Sequence, residues 1–414
     1  MSAAARILFF GESATLAHVV RPIVLARALD ASGHAAGFAT GADYRRHAVD
    51  AGLDVLDLDC IGSRAYLAAV EAGRPVFPYR TLVRYVEDDR RVMRAFRPDL
   101  VVGDFRLSLA VSARLERVPF IAISNAYWSP HARVRLQVPV HAATRLLGWR
   151  AADAAFRAVA PLVLAQHSLP MHRLRRRFGM ASLGFDLRRV FTEGDVTLFA
   201  DAPEFVPTDA SAVPGRYRYI GPVVWSPPGE LPAGLDATAG SKAAPPPLAY
   251  VALGSSGDAR LLADVVGGLV RAGCRIALST AGAAVPAGLP SDAVVADFLP
   301  GDRMAAVSRL VVCNGGSPTT HQALREGTPV LGIASNLDQI LNMRFVERSG
   351  AGRMVRADCV SVRAIDAAAR ALLTDDAAAA RARTVAGWFA ACDAPARFRA
   401  VIDEMLATGA IRSA

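Results

Sequence analysis

The stretch VVCNGGSPTTHQALREGTP, Val311 to Pro329, begins as a buried strand and ends as a helix. Apolar Val311 and Val312 lead into a glycine pair, and a helical pattern resumes from Thr319. Ser317 reads as an N-cap and Pro318 as a first-turn residue, where a missing N–H breaks no helical bond. Thr319 and Thr320 then present N–H groups and hydroxyls at the positive end of a helix dipole, a place suited to a phosphate. Gly315 and Gly316 fit equally a tight strand–helix turn and the close approach of a ligand to the backbone.

Outward from this stretch the same alternation repeats. LAYVALG, CRIALST, AVVADFL, RLVVCNG and PVLGIAS are strand candidates with helices between them in the second half. RILFF, DLVVGDF and PFIAISN play that part in the first half, with a helix read over PIVLARALDASG. About Trp128 to Arg189 the composition is helical. Strands alternating with helices imply parallel sheets. Residues Trp225 to Pro247 are Pro-, Gly- and Ala-rich and read as a linker. The expected architecture is α/β: a domain over 1–224, the linker over 225–247, a second domain over 248–385, and a helical segment over 386–414 packing back on the first domain. Two Rossmann-like domains are expected to face each other across a cleft, with ligands at the carboxyl ends of the strands.

Composition excludes several classes. With 414 residues, 52% apolar and 21% charged, the chain is long enough for two folded domains and too apolar for disorder. No run approaches the roughly 18 apolar residues of a membrane span. The N-terminus reads as a first strand, not a signal peptide, so a cytoplasmic location is the default expectation. Five scattered cysteines without CxxC spacing predict neither a zinc site nor a disulfide framework. The net charge of +9 is carried almost wholly by arginine, with Lys242 as the one lysine. That skew reads as compositional, and no nucleic-acid partner is expected. The densest cluster, HRLRRRFG (His172–Gly179), reads as a solvated helix with Leu174 and Phe178 turned inward. A P-loop needs GK[ST], and Lys242 stands in the linker. GESATLAH after Phe10 is not GxGxxG, which disfavours nicotinamide chemistry.

PVLGIASNLDQILNM places Asp338, Gln339 and Asn342 just past another strand. A carboxylate beside an amide suits vicinal hydroxyls, although an exposed polar pair is the simpler reading of these residues alone. LGSSGD, with Gly254, Ser255 and Ser256, forms a second loop ahead of a helix.

Together these segments resemble the family 1 GT-B glycosyltransferases, the macrolide and plant-type nucleotide-sugar transferases. The family's donor signature runs WxPQ, HGGxGTxxEAxxxGxP, DQxxNA; here it is FLPG (Phe298–Gly301), NGGSPTTHQALREGTP and DQILNM. AHVVRPIVLARAL and RPDLVVGDF are similar to the family's first helix and its PDLVxxD strand. LPMHRLRRRFGM and YRYIGPVV match more loosely. The resemblance implies an inverting transfer from a UDP- or TDP-sugar to a hydroxyl of a small lipophilic natural product. His18 would be the general base, with Asp104 holding its imidazole. Ser255, Ser256, Gly254, Gly315, Gly316, Ser317 and Thr319 would surround the diphosphate. Asp338 and Gln339 would hold the sugar. Phe298 would stack on the base, a core phenylalanine being the competing reading, and Leu299 would offer it backbone groups. No metal and no cofactor are implied.

Asn314 stands where the family usually has histidine, Pro318 where it has glycine, and Gln322 where it has the ribose-binding glutamate. Phe77, Tyr79, Tyr127 and Trp128 are candidates for the acceptor pocket or for core packing. Alternative readings are a transferase acting on a lipid-linked acceptor at a membrane face and a non-catalytic nucleotide-sugar-binding partner. Oligomeric state is not legible in the sequence.

Overall fold

The strand-like runs pair into two separate parallel sheets. The structure, a computed structural model, describes residues 4–209, 215–232, 235, 246–254 and 257–407. Ser255, Ser256, Lys242 and much of the linker therefore lie outside the described residues.

The first sheet contains β1 (Arg6–Gly11), β2 (Ala35–Thr40), β3 (Asp54–Asp57), β4 (Leu100–Asp104), β5 (Phe120–Ser124), β6 (Val196–Phe199) and β7 (Tyr217–Tyr219). Their order is β3-β2-β1-β4-β5-β6-β7. The second contains β8 (Leu248–Ala252), β9 (Arg275–Ser279), β10 (Val294–Ala296), β11 (Leu310–Cys313), β12 (Val330–Ala334) and β13 (Gly352–Arg356), in the order β10-β9-β8-β11-β12-β13. Each sheet thus starts in the middle, winds outward, then crosses back. In such sheets the reversal leaves a crevice past the carboxyl ends of the two central strands. Here those strands are β1 with β4, Gly11 opposite Asp104, and β8 with β11, Ala252 opposite Cys313.

The central strands are buried on both faces, which is why they read as unbroken apolar runs. β4 and β8 are fully buried along their length. On one face of the first sheet Ile7, Phe9, Val102 and Ile121 pack with Ile23 and Leu25 of helix Ala17–Arg27. Phe398 and Ile402 of the C-terminal helix Ala394–Ala407 join the same core. Leu8, Phe10 and Val101 face the other way, against Val92, Met93 and Leu109.

The chain divides into two compact units, one of residues 1–133, 158–223 and 392–414, the other of 134–157 and 224–391. Two expected boundaries move. Residues 134–157, read as part of the first domain, group with the second sheet. Val140 N–H donates to the Ser335 carbonyl at 2.7 Å, and the Arg356 guanidinium holds the Val138 carbonyl at 2.7 Å. The returning C-terminal segment begins at Cys392 rather than at residue 386. The first helix begins at Ala17, ahead of Pro22, so Pro22 lies inside it and leaves the His18 carbonyl without its helical N–H partner. The arginine cluster ends helix Trp149–Arg177. Leu174 is buried as expected, whereas Arg175 is also buried, donating to the Ala181 and Ala110 carbonyls.

Candidate active site

The two crevices carry different chemistry and are described in turn. In the first unit, His18 enters on the first turn of helix Ala17–Arg27, and Asp104 closes β4. His18 Nδ1 lies 2.8 Å from Asp104 Oδ1, with Asp104 fully buried and His18 18% exposed. A carboxylate only accepts, so this contact puts the proton on Nδ1 and leaves Nε2 with its lone pair.

Asp104 has a second partner that sequence reading missed. Arg21, three residues after His18 and on the same helical face, donates from Nε to Oδ2 and from Nη2 to Oδ1, each at 2.8 Å. Its Nη1 donates to Asn125 Oδ1 at 2.7 Å. Asn125 Nδ2 in turn donates to Asp201 Oδ2 at 3.2 Å, and that oxygen also accepts the Ala126 N–H at 2.6 Å. Residues at the ends of β4, β5 and β6 are thereby linked to one guanidinium. Burial alone would push the Asp104 carboxyl up, but Arg21 and His18 outweigh it and hold it below the usual range.

Phe105, next after Asp104, adopts φ +59°, a left-handed conformation uncommon for a bulky residue. Its ring stacks on the His18 imidazole, with centroids 4.5 Å apart and planes 14° from parallel. Phe77, Phe191 and Tyr66 gather around it at 5.5, 5.2 and 6.2 Å, and Trp128 packs edge-on against Phe191 at 4.8 Å. Of the acceptor candidates, Phe77 and Trp128 belong to this cluster, Tyr79 is half-buried at a helix start, and Tyr127 is enclosed in the core. Phe105, Phe191 and Tyr66 were not singled out from sequence, because a ring pattern scattered over the chain has no period.

The next residue, Arg106, has a fully buried side chain. Its Nε donates to Asp89 Oδ1 and its Nη1 to Glu12 Oε2, both at 2.9 Å, and its Cζ lies 3.5 Å over the Tyr85 ring. Two buried carboxylates around one guanidinium leave a negative excess. Burial, the largest influence, pushes both the Glu12 and Asp89 carboxyls up despite Arg106. The Cys60 thiol beside them rises to about 12, from burial and from the Glu12 charge.

In the second unit, Gly254 follows β8, and Asn314, Gly315 and Gly316 follow β11. The helix start differs from the expectation: the N-cap is Gly316, the helix runs Ser317–Arg325, and no side chain caps it. Two residues before the cap, Asn314 Oδ1 accepts the Gly316 N–H at 3.0 Å. Asn314 thus shapes the loop with its carbonyl and directs its amide toward Gly254, where Nδ2 would stand 3.6 Å from an added Cβ. Gly315 holds φ +79°, and a Cβ there would meet Met343 Cγ at 2.7 Å. Both facts require glycine.

Thr320 does not face outward. Its hydroxyl donates back to the Gly316 and Ser317 carbonyls, and its N–H reaches the Gly316 carbonyl. Asn342 Nδ2 donates to the Gly315 carbonyl at 2.8 Å and to Thr320 Oγ1 at 2.9 Å, bracing the loop from helix Leu337–Ser349. Gln339 spends its carbonyl on that helix's own start, accepting from Ser335 and Asn336 N–H groups. Asp338 and Thr319 are half-buried. Gln322 Nε2 donates to the Trp225 carbonyl at 2.7 Å and to Ser226 Oγ at 3.0 Å, which fastens the start of the linker. Phe298, beyond β10, is 52% exposed and Leu299 is buried, so the Phe298 ring is not a core residue.

Comparison with known proteins is consistent with this arrangement. Residues 266–405 match the family described as erythromycin biosynthesis protein CIII-like, C-terminal domain. The chain is 44% identical over 369 residues to a PGL/p-HBAD biosynthesis glycosyltransferase of Mycobacterium tuberculosis, covering 89% of this chain and 85% of that one. It is 45% identical over 362 residues to a PGL/p-HBAD biosynthesis rhamnosyltransferase of Mycobacterium bovis, covering 85% and 77%. Among solved structures, the spinosyn rhamnosyltransferase SpnG complexed with thymidine diphosphate superposes with a TM-score of 0.68 at 20% identity, over 96% of this chain and all of that one.

Proposed function

The chain belongs to the family of the PGL/p-HBAD biosynthesis glycosyltransferases, with the GT-B fold, and from that premise we propose the reaction that its two crevices carry out. It is a glycosyltransferase. The proposed donor is a TDP- or UDP-sugar, and the proposed acceptor is a hydroxyl on an apolar, ring-accommodating molecule of the PGL/p-HBAD kind. The rhamnosyltransferase name of one relative supports rhamnose as the sugar, and the thymidine diphosphate in the spinosyn enzyme supports TDP as the carrier.

The observation that carries the reading is the His18–Asp104 contact at the reversal point of the first sheet, with the imidazole edge partly exposed. In the proposed step His18 Nε2 takes the proton of the acceptor hydroxyl. The freed oxygen pair forms a bond to the anomeric carbon, the bond from that carbon to the diphosphate oxygen breaks, and the nucleoside diphosphate leaves. Direct displacement inverts the anomeric centre. The Nδ1 proton stays on the ring, hydrogen-bonded to Asp104, which stabilises the imidazolium. The aromatic cluster around Phe105 supports an apolar acceptor body. In the second unit, backbone N–H groups at the start of helix Ser317–Arg325, the Asn314 amide and the glycine loop are assigned to the departing diphosphate, with no metal in the scheme. Phe298 is assigned to the base, Leu299 backbone groups to its edge, Gln322 to the ribose, and Asp338 with Gln339 to the sugar. Gln339 acts there through its amide nitrogen, because its carbonyl is committed to the helix start.

The test is His18→Ala, with folding verified by circular dichroism. Transfer from TDP- and UDP-sugars to a panel of apolar phenols and alcohols should fall by about 10²–10⁴-fold, while donor affinity by calorimetry stays unchanged. Undiminished transfer removes His18 from the role.

A further inference from the structure

The chain's excess positive charge is not spread over it. Between His131 and Phe185 stand nine arginines and a single acid, Asp153, a net of +8 out of the +9 of the whole chain. The preference for arginine over lysine runs through the whole chain, whereas the net excess of positive charge is local to this segment. Even the one acid is turned inward: Asp153 is buried and accepts the Val138 N–H at 3.0 Å, with Arg135 at 3.5 Å.

The same stretch carries the chain's most exposed leucines. Leu146 is 84% exposed, Leu147 62% and Leu162 71%. The first two end the short helix Ala142–Leu147, between Arg145 and the half-buried Trp149, which Arg150 flanks at 5.5 Å. On the helix Trp149–Arg177, positions Ala151, Ala155, Val159, Leu162, Gln166 and Leu169 fall on one side at the 3.6-residue period, and all six are exposed. A solvent-facing stripe is normally polar; this one has no charge along about five turns. It continues into exposed Arg173, Arg176 and Arg177. An apolar stripe is thus bracketed by arginines at each end.

We propose that the His131–Phe185 segment rests on the surface of an anionic lipid bilayer. Its exposed leucines Leu146, Leu147 and Leu162 enter the headgroup–acyl boundary with Trp149, and its exposed arginines meet the headgroup phosphates. Charge and apolarity select this occupant together. A second copy of the chain docked symmetrically through the same face would set arginines against arginines. A polynucleotide would satisfy the arginines and leave the leucines in water. Crossing the bilayer is a different case, since among the described residues no helix is long and apolar enough to span it. The proposal does not depend on His18 or on the identity of the donor.

The test is co-sedimentation of the full chain with phosphatidylcholine vesicles, with and without phosphatidylglycerol. Binding is expected to the anionic vesicles, at least about tenfold tighter than to the neutral ones, and to weaken as salt is raised. Leu146→Ser/Leu147→Ser/Leu162→Ser should lower vesicle affinity by about tenfold or more, with thermal stability and sugar transfer in vesicle-free solution unchanged, because these side chains touch solvent. Arg145→Gln/Arg150→Gln should cost about 25-fold, about fivefold per arginine. Equal affinity for both vesicle types, or no effect of the leucine substitutions, overturns the proposal. So does binding to polyphosphate or an acidic polypeptide without binding to vesicles.

Discussion

Replacing Arg21 with methionine removes a buried guanidinium while keeping most of its volume. Asp104 then loses two charge-assisted hydrogen bonds of 2.8 Å and retains only the His18 contact. Asn125 loses a donor at 2.7 Å. Breaking a buried ion pair by deleting one partner costs about 3–5 kcal/mol, since the remaining charge stays out of water. At about 2–4 °C per kcal/mol for a unit of this size, the melting temperature of the first unit should fall by roughly 6–20 °C.

The sign of the pH dependence is also set. In the wild type the Asp104 carboxyl lies below its ordinary range, so its stabilisation is present above the unfolded value near about 4 and is lost as pH falls through the folded one. In the variant, burial acts on the carboxyl with the Arg21 opposition gone, and it rises. A raised carboxyl makes the folded state hold its proton longer, so stability is lost as pH rises. The melting difference between wild type and variant should be largest near pH 7 and narrow toward pH 4. Calorimetry across that range measures it. A loss under about 1 kcal/mol, or a difference that widens as pH falls, refutes the view that Arg21 neutralises Asp104.

Further outcomes follow from single contacts. Gly315→Ala should lower the stability of the second unit by about 1–3 kcal/mol, from the left-handed φ and the Met343 clash, read as a lower denaturation midpoint. Phe298→Ala should leave the melting temperature unchanged, because the ring is half in solvent, while weakening calorimetric TDP or UDP affinity by about 5–10-fold through lost stacking. Unchanged affinity would remove Phe298 from the donor site.

Much of the candidate site was legible because it lies at junctions that local sequence marks. His18 follows the first apolar run, Asp104 ends another, and the glycine pair stands directly after a strand. Strand ends are where parallel sheets collect function, and apolar runs locate those ends. The strands left unassigned, such as AAGFAT (Ala35–Thr40) and GRMVR (Gly352–Arg356), mix alanine, glycine or arginine into short segments whose apolar signal is weak. The loop Asn314–Ser317 was placed correctly, but its cap was not: Asn314 bonds to a backbone N–H whose position depends on the left-handed turn at Gly315. Thr320 and Asn342 looked like ligand-facing polar residues because one-dimensional spacing does not say which way a hydroxyl bonds.

What the sequence determined by itself was the periodic part: two runs of alternating strands and helices, the residues at strand ends, and the count of arginines against acids. Periodicity and composition are properties of neighbours along the chain, so a single chain displays them. Only the tertiary structure decided that Arg21 and His18 share one carboxylate, that Phe105 stacks on the imidazole, and that residues 134–157 group with the second sheet. It also decided that Leu146, Leu147 and Leu162 face water. Each of these depends on which distant segments exclude solvent from a side chain, and that is settled by packing rather than by sequence spacing.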